Sequence, residues 1–363
     1  MTSVESVLLV VKGLDLGGVE RVVVDLAVGL RAAGVRAEVA VVNGARRQFV
    51  PPLEAAGIPV HLLSGNDHVG VAGVRDLRRL LRQRRFDVVH AHGPLPSVVV
   101  RMLAGRQPVV STLHTLWPAH RGISRAGWLL TARRDAAVLA VSEAVAASLP
   151  RRVRHRAEVV PHGVDEAAVA VARRASPTPD PSVPSPSVPS MVVVASHRAA
   201  KNYPNLLGAL QVAARQGMHF RVMAIGEGPD LVEHRRLAAE LGLLDVIDFV
   251  EPRLDVLTLI AAADLLVVAS DHEGQPLVVS EALALGVPVV ATAVGRVPEL
   301  VGDAVGRVVP TGNPDALGTA VLELLRNPEL RARMGAEAST LPHRTLGEVV
   351  AEHLAIYRRV AAR

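Results

Sequence analysis

Cysteine is absent from this chain, which removes disulfides, thiolate metal sites and cysteine nucleophiles from consideration. Aromatic residues make up only 2% of it, so Val, Leu and Ala must fill whatever cores it builds. Lysine is scarcer still: Lys12 and Lys201 are the only two among 40 basic residues. No uninterrupted apolar run approaches the roughly 18 residues that a membrane-spanning helix needs. The N-terminus, MTSVESVLLVVKGL, has no basic segment ahead of its short apolar run and carries Glu5 there instead. It reads as a first buried strand and not as a signal peptide, so a cytoplasmic enzyme is the default expectation. No Asp-x-Asp pair of the kind that holds a divalent ion on a diphosphate occurs either, which fits chemistry without a metal.

What the chain does have is a regular alternation. Half of its residues are hydrophobic and 21% are charged, a globular balance, and 363 residues suit two domains better than one. Short Val-rich runs of strand length alternate with longer segments of helical period, the pattern of parallel sheets with crossover helices. Strands are predicted at 7–11, 37–42, 59–63, 87–90, 109–114, 137–141 and 158–161, and again at 191–196, 220–225, 246–250, 265–269, 287–291 and 306–309. Between the two sets, SPTPDPSVPSPSVPS at 176–190 is too rich in proline for helix or sheet interior and reads as a stiff connector. The expected organisation is therefore a doubly wound α/β domain over 1–175, a linker over 176–190, a second such domain over 191–344, and a closing helix over 345–363 that packs back on the first domain.

Charge divides along the same line. Residues 1–175 hold 24 Lys and Arg against 14 Asp and Glu, and the remainder holds 16 against 21. A helix predicted at 71–85 sets Val74, Leu77, Leu80 and Leu81 on one face and arginines on the other. The basic half suits an anionic membrane surface or a phosphorylated acceptor; a merely solvated arginine-rich surface reads the same way.

The most informative stretch is ASDHEGQPLVVSEALALGVPVVAT, residues 269–292. A buried strand ends in a polar loop, Pro276 fits the first position of a helix, and Gly286 caps that helix. Free N–H groups and the positive end of a helix dipole at a sheet's ligand edge suit a phosphate. Glu273 in the loop and Glu281 in the helix can accept hydrogen bonds from ligand hydroxyls. The residues alone leave a favourable helix charge and an exposed loop glutamate as an equal reading.

The spacing of those two glutamates resembles the E-x7-E signature of retaining glycosyltransferases, family 4 in particular, with the GT-B fold. The resemblance spans nearly the whole chain. Gly226-Glu227-Gly228-Pro229 is similar to the family's G-x-G-P turn, and Gly17-Gly18-Val19-Glu20 to its G-G-x-E loop. Lys201 stands where the family places a lysine that neutralises the donor diphosphate. The arginine five residues earlier is Ser196 here, with Arg198 two residues on, and His162 replaces the usual asparagine of the P-x-G-V-D segment. His114 ends a strand in a T-x-H-like element.

The resemblance implies two Rossmann-like domains facing across a cleft and a nucleotide-diphosphate sugar, UDP- or GDP-linked, as donor, with no metal or other cofactor. Glu273 would hold hydroxyls of the donor sugar and Glu281 the ribose. Gly274, Gln275, Pro276 and Leu277 would lie along the donor, with Gly17, Gly18 and Gly226. His114 would stand beside the sugar, while Lys201 and Arg198 would stabilise the leaving diphosphate. The acceptor, a glycan, lipid or small molecule, stays unspecified, and no nucleic acid is expected. His90 and His92 end a strand where they could line an acceptor cleft. Two other readings remain: a GT-B-fold epimerase of the nucleotide sugar, and a non-catalytic binder of anionic lipid or nucleic acid.

Overall fold

The computed structural model describes residues 3–44, 47–63, 70–175 and 188–362; most of the expected linker, 176–187, lies outside them. The chain forms two compact units, Met1–Gly163 with Arg344–Arg363, and Val164–His343.

Unit 1 is built on seven parallel strands: β1 (Ser6–Val11), β2 (Arg36–Val41), β3 (Val60–Leu62), β4 (Val88–His92), β5 (Val109–Leu113), β6 (Asp135–Ala140) and β7 (Ala157–Val159). They lie in the order β3-β2-β1-β4-β5-β6-β7. Strands β1, β4 and β5 are buried on both faces, which is why they read as continuous apolar runs and not as alternations. The first helix, Gly18–Ala32, buries Val23, Val24, Leu26, Ala27 and Leu30. Against it packs the closing helix Leu346–Ala361, started by a capping box between Thr345 and Glu348. Its Val350, Leu354, Ile356, Tyr357 and Val360 share one core with Leu9, Val39 and Leu139.

Unit 2 has six parallel strands: β8 (Ser190–Val194), β9 (Arg221–Ile225), β10 (Ile247–Val250), β11 (Leu265–Val268), β12 (Val289–Thr292) and β13 (Gly306–Val309). Their order is β10-β9-β8-β11-β12-β13. Both sheets therefore reverse direction of winding once, between β1 and β4 and between β8 and β11. In open parallel sheets that switch point, beyond the carboxyl ends of the strands, is where a crevice for ligands opens.

The domain boundaries differ from those expected. The chain enters unit 2 between Gly163 and Val164, not at 175/176. Helix Glu166–Arg174, capped by the Asp165 carboxylate at the N–H groups of Ala167 and Ala168, packs against helices Val256–Ala261 and Leu277–Leu285 of unit 2. Gly163 has no space for a side chain, because a Cβ there would lie 2.4 Å from the Thr345 carbonyl oxygen. The return to unit 1 falls between His343 and Arg344. Counted by unit, the charge asymmetry sharpens: unit 1 holds 26 Lys and Arg against 14 Asp and Glu. Helix Val71–Gln83 buries Leu77, Leu80 and Leu81 and turns Arg75, Arg78, Arg79 and Arg82 to solvent. Among the described residues no helix is long and apolar enough to cross a membrane.

Candidate active site

In unit 2 the two loops at the switch point are stitched together. After β8 the chain runs through Ser196, His197 and Arg198 into a short 3-10 turn, Ala199–Lys201. Asn202 follows in the left-handed region, φ 43°, alone among the described non-glycine residues. Its side-chain oxygen caps helix Tyr203–Arg215 by accepting from the Asn205 N–H, and its amide donates to Asp271 Oδ1 at 2.9 Å. The Asp271 N–H donates back to the Ala200 carbonyl at 2.9 Å. Between these ties, Lys201 Nζ forms an ion pair with Glu273 Oε1, which also accepts from Ser270 Oγ at 2.8 Å. Both partners are largely shielded, with side chains 25% and 11% exposed.

The loop carrying Glu273 is held from behind. Thr292 Oγ1 donates to the Ser270 carbonyl at 2.6 Å, and Arg296 N–H to the Gly274 carbonyl at 3.2 Å. Gly295, with φ 51°, lets that backbone come close: a Cβ there would sit 2.3 Å from Gly274 O. Helix Leu277–Leu285 then begins, with Glu281 in its second turn and Gly286 as a left-handed C-cap, φ 79°. Pro276 is the N-cap and not the first helical residue, because its ψ of 113° is extended. Of the first-turn N–H groups after it, that of Val279 donates to the Pro276 carbonyl at 3.2 Å, and those ahead of it precede the first carbonyl the helix could offer them. Gly274, Gln275, Pro276 and Leu277 are all buried beside Glu273.

Arg198 is exposed, and among the described residues its guanidinium has no hydrogen bond or ion pair. Gly226 serves close packing, since a Cβ there would lie 2.1 Å from the Ala195 carbonyl; its absence lets β9 press against the loop that carries Arg198 and Lys201. The Tyr203 hydroxyl, donating to Ala195 O at 2.9 Å, fixes the same loop from below.

In unit 1, Gly17 is the N-cap of the first helix and Gly18 its first residue, both just beyond β1. Neither has a positive φ, and nothing stands within 4 Å of where a Cβ of Gly18 would be. The fold of this unit thus does not itself require glycine at Gly18.

His114 lies just past β5, within a column of histidines. Strand β4 extends two residues beyond its predicted end and brings both His90 and His92 onto one face. His90 Nδ1 meets the Tyr357 hydroxyl at 2.6 Å and its Nε2 the Thr112 hydroxyl at 2.7 Å. Fully buried and with both nitrogens engaged, His90 lines no cleft, contrary to expectation. His92 Nδ1 and His114 Nε2 share a hydrogen bond at 3.1 Å, and His162 stacks on His114 with centroids 5.4 Å apart. Burial, and then repulsion from neighbouring histidines, pushes the pKa of His90 and His92 well below the ordinary value and that of His114 to about 3. All three rings are neutral at physiological pH. Among the described residues no three His, Cys, Asp or Glu side chains gather as a metal site.

The sequence picked out Glu273, Lys201 and His114 but assigned nothing to Ser270, Asp271, Asn202 or Thr292, which position the first two. Asn202 directly after the rare lysine was the one available signal, since asparagine is among the few residues that tolerate a left-handed turn.

Comparison with known proteins gives this geometry a context. The profile of the glycosyl transferases group 1 matches residues 182–340, and that of glycosyltransferase family 4 matches residues 16–168. The chain is 28% identical to the D-inositol 3-phosphate glycosyltransferase of Streptomyces coelicolor, across 90% of this chain and 83% of that protein. It is 27% identical to the phosphatidyl-myo-inositol mannosyltransferase of Mycolicibacterium smegmatis, across 95% and 91%. Among solved structures it superposes on the Anabaena protein HepE in complex with UDP and glucose, with a TM-score of 0.81, 22% identity and coverage of 96% and 99%. The sucrose-phosphate synthase of Thermosynechococcus elongatus follows it with a TM-score of 0.80, 21% identity and coverage of 99% of each chain.

Proposed function

Because this chain belongs to the family 4, group 1 glycosyltransferases with the GT-B fold, we propose that it moves a hexosyl group from a nucleoside diphosphate sugar to an acceptor hydroxyl, with retention of configuration and without a metal ion. The observation that carries this reading is the Lys201–Glu273 pair at the switch point of unit 2, the lone lysine of that half held against the first glutamate of the E-x7-E motif.

Breaking a glycosidic bond to a diphosphate loads negative charge on the leaving group. Fixed cations and N–H dipoles aimed at that charge, where water is excluded, lower the barrier more than any other single device. Lys201 supplies a point charge, Arg198 a second cation free to reach, and the start of helix Leu277–Leu285 supplies N–H groups. Glu273 accepts from hydroxyls of the sugar and Glu281 from the ribose, and Gly274 to Leu277 run along the donor between them. The same reading assigns Gly17, Gly18 and His114 to the donor, with Gly226 supporting the phosphate loop. A UDP- or GDP-sugar is the donor of choice. HepE was solved with UDP and with UDP-glucose, and the two curated relatives are named for inositol-bearing acceptors. The strongly basic unit 1 suits an acceptor or a membrane surface that is anionic.

Melting curves in the presence of UDP, GDP, ADP and TDP identify the nucleotide, since a bound ligand raises Tm by mass action. Turnover of the matching sugar in EDTA, with the product's anomeric configuration read by NMR, tests the rest. Retention in chelator supports the proposal. An inverted product, or activity that returns only with magnesium, overturns it, and conversion of the donor in the absence of any acceptor assigns an epimerase instead.

A further inference from the structure

We propose that His92 is a positioning residue which couples its own tautomer to that of His114, so that the neutral pair meets a ligand hydroxyl and disfavours an anion.

The strand register puts the two rings together. β4 and β5 are parallel neighbours with His92 opposite Thr112, and side chains two residues apart on a strand share a face, so His114 continues the row just beyond His92. Below them His90 is locked by Tyr357 and Thr112, and His353 is locked by its Nδ1 donating to the Val349 carbonyl at 2.8 Å. Both of those rings have partners. The upper two do not complete theirs: beyond the bond they share, His92 Nε2 and His114 Nδ1 are buried without a hydrogen-bond partner among the described residues. A buried ring nitrogen left unpaired costs free energy that a ligand group can recover.

Counting protons shows what that group must be. Two neutral imidazoles carry four nitrogens and two N–H groups. The shared bond consumes one N–H and one lone pair, which leaves one N–H and one lone pair on the two unpaired nitrogens. If His92 Nδ1 donates, His114 accepts at Nε2 and must carry its proton on Nδ1. If His114 Nε2 donates, His92 must carry its proton on Nε2. The two rings therefore always hold the same tautomer and can change only together. In one state His114 offers its ligand a donor, in the other an acceptor.

A hydroxyl satisfies either state. A phosphate or carboxylate can only accept, and it gains its full interaction only beside an imidazolium. The groups acting on His92 and His114 are other histidines, His90, His162, His353 and His120, with no carboxylate among them. Burial in that company opposes the imidazolium form, so the pair has no stable charged state with which to hold an anion. The sugar hydroxyl as ligand rests on the glycosyl-transfer reading; the coupling of tautomers does not.

The test is nitrogen-15 NMR of histidine-labelled full-length protein, wild type, His92→Asn and His92→Leu, alongside transfer kinetics. In wild type, His92 and His114 should show one and the same tautomer and remain neutral at pH 6. His92→Asn keeps an amide near the position of Nδ1 and should retain the His114 tautomer and most of the turnover. His92→Leu should leave His114 averaging between tautomers and lower kcat/KM for the nucleotide sugar about tenfold, with the affinity for the free nucleoside diphosphate unchanged. Unlike tautomers in the two rings, a protonated ring at pH 6, or a His114 signal indifferent to His92→Leu overturns the proposal. If the tautomers behave as stated but no nucleotide sugar turns over, the coupling stands and the glycosyl-transfer reading falls.

Discussion

Lys201 and Glu273, 72 positions apart in the chain, form an ion pair across the switch point of the second sheet. If Lys201 serves the diphosphate and Glu273 the sugar, the pair keeps each aimed at its part of the donor, and their removal has unlike effects. Glu273→Ala should leave the affinity for the free nucleoside diphosphate near wild type and lower kcat about a hundredfold. Glu281→Ala should weaken nucleotide binding by about 1.5–3 kcal/mol, the worth of a hydrogen bond to a charged group. Lys201→Ala should lower both. Titration calorimetry with the nucleotide and steady-state rates separate these outcomes, and equal small effects from both glutamates would make them structural.

Arg198 is exposed where the family's arginine position is Ser196. If it has taken over the role of that cation, Arg198→Ala lowers kcat by about the hundredfold expected for one lost charge contact in the transition state. A near-normal Arg198→Ala enzyme beside an inactive Lys201→Ala enzyme would leave Lys201 to act alone.

Gly18 faces open space at the first position of its helix. Gly18→Ala should therefore not unfold the protein, and it should raise stability by about 0.4–1 kcal/mol by restricting the unfolded chain. If the glycine is there to admit a ligand, kcat/KM falls nonetheless. Chemical denaturation and activity measured on the same preparation decide; activity unchanged in a stabilised variant assigns Gly18 to the fold alone.

The buried histidines of unit 1 impose a pH dependence with a definite sign. His90, His92, His114 and His353 all lie below the ordinary 6.5, through burial first, and His114 falls to about 3. Near them are His120, also lowered by burial, His162, Tyr357, and Glu352, which pulls His353 the other way. Below pH 6.5 the unfolded chain binds protons that these folded rings refuse, His114 down to about 3, so stability is complete above pH 6.5 and falls as the pH drops below it. Each histidine contributes up to about 1.4 kcal/mol per pH unit. Urea unfolding at pH 7, 6 and 5 should show the loss, and a His92→Asn, His114→Gln double variant should show less of it than wild type.

The outward arginines of helix Val71–Gln83 carry the prediction for membranes. Each basic residue near an anionic surface is worth about 1 kcal/mol. Replacing Arg75, Arg78, Arg79 and Arg82 with glutamine should then abolish co-sedimentation with phosphatidylserine vesicles at low salt. A wild-type protein that does not sediment with them makes the helix a solvated face.

All thirteen strands among the described residues were legible in the sequence, the central ones because parallel strands buried on both faces leave uninterrupted Val-rich runs, and the half-buried edge strands β3, β7 and β10 only as short runs between helices; ends shifted by at most two residues. Glu273, Lys201 and His114 were legible as candidates from spacing and resemblance. That Lys201 reaches Glu273 was not, because it depends on β8 and β11 being neighbours, a matter of strand order that no local pattern encodes. The pairing of His92 with His114 was hidden for the same reason, 22 residues apart and joined only by register. The proline-rich segment drew the boundary too late. Composition reports where a chain cannot form regular structure, whereas the crossing at Gly163 is marked only by one glycine pressed against Thr345 and an aspartate cap two residues later.

The closing helix has a consequence for biosynthesis. Domains generally fold as units in the order in which the ribosome delivers them, but unit 1 cannot do so. Its core includes Val350, Leu354, Ile356, Tyr357 and Val360, which are translated after the whole of unit 2, complete at His343. The nascent chain therefore emerges with the first helix lacking its cover, and the half made first is the half that finishes folding last. A stop codon shortly before Leu346 would spare every residue of the donor loops and still leave the apolar face of Val23, Leu26 and Leu30 open to chaperones and proteases.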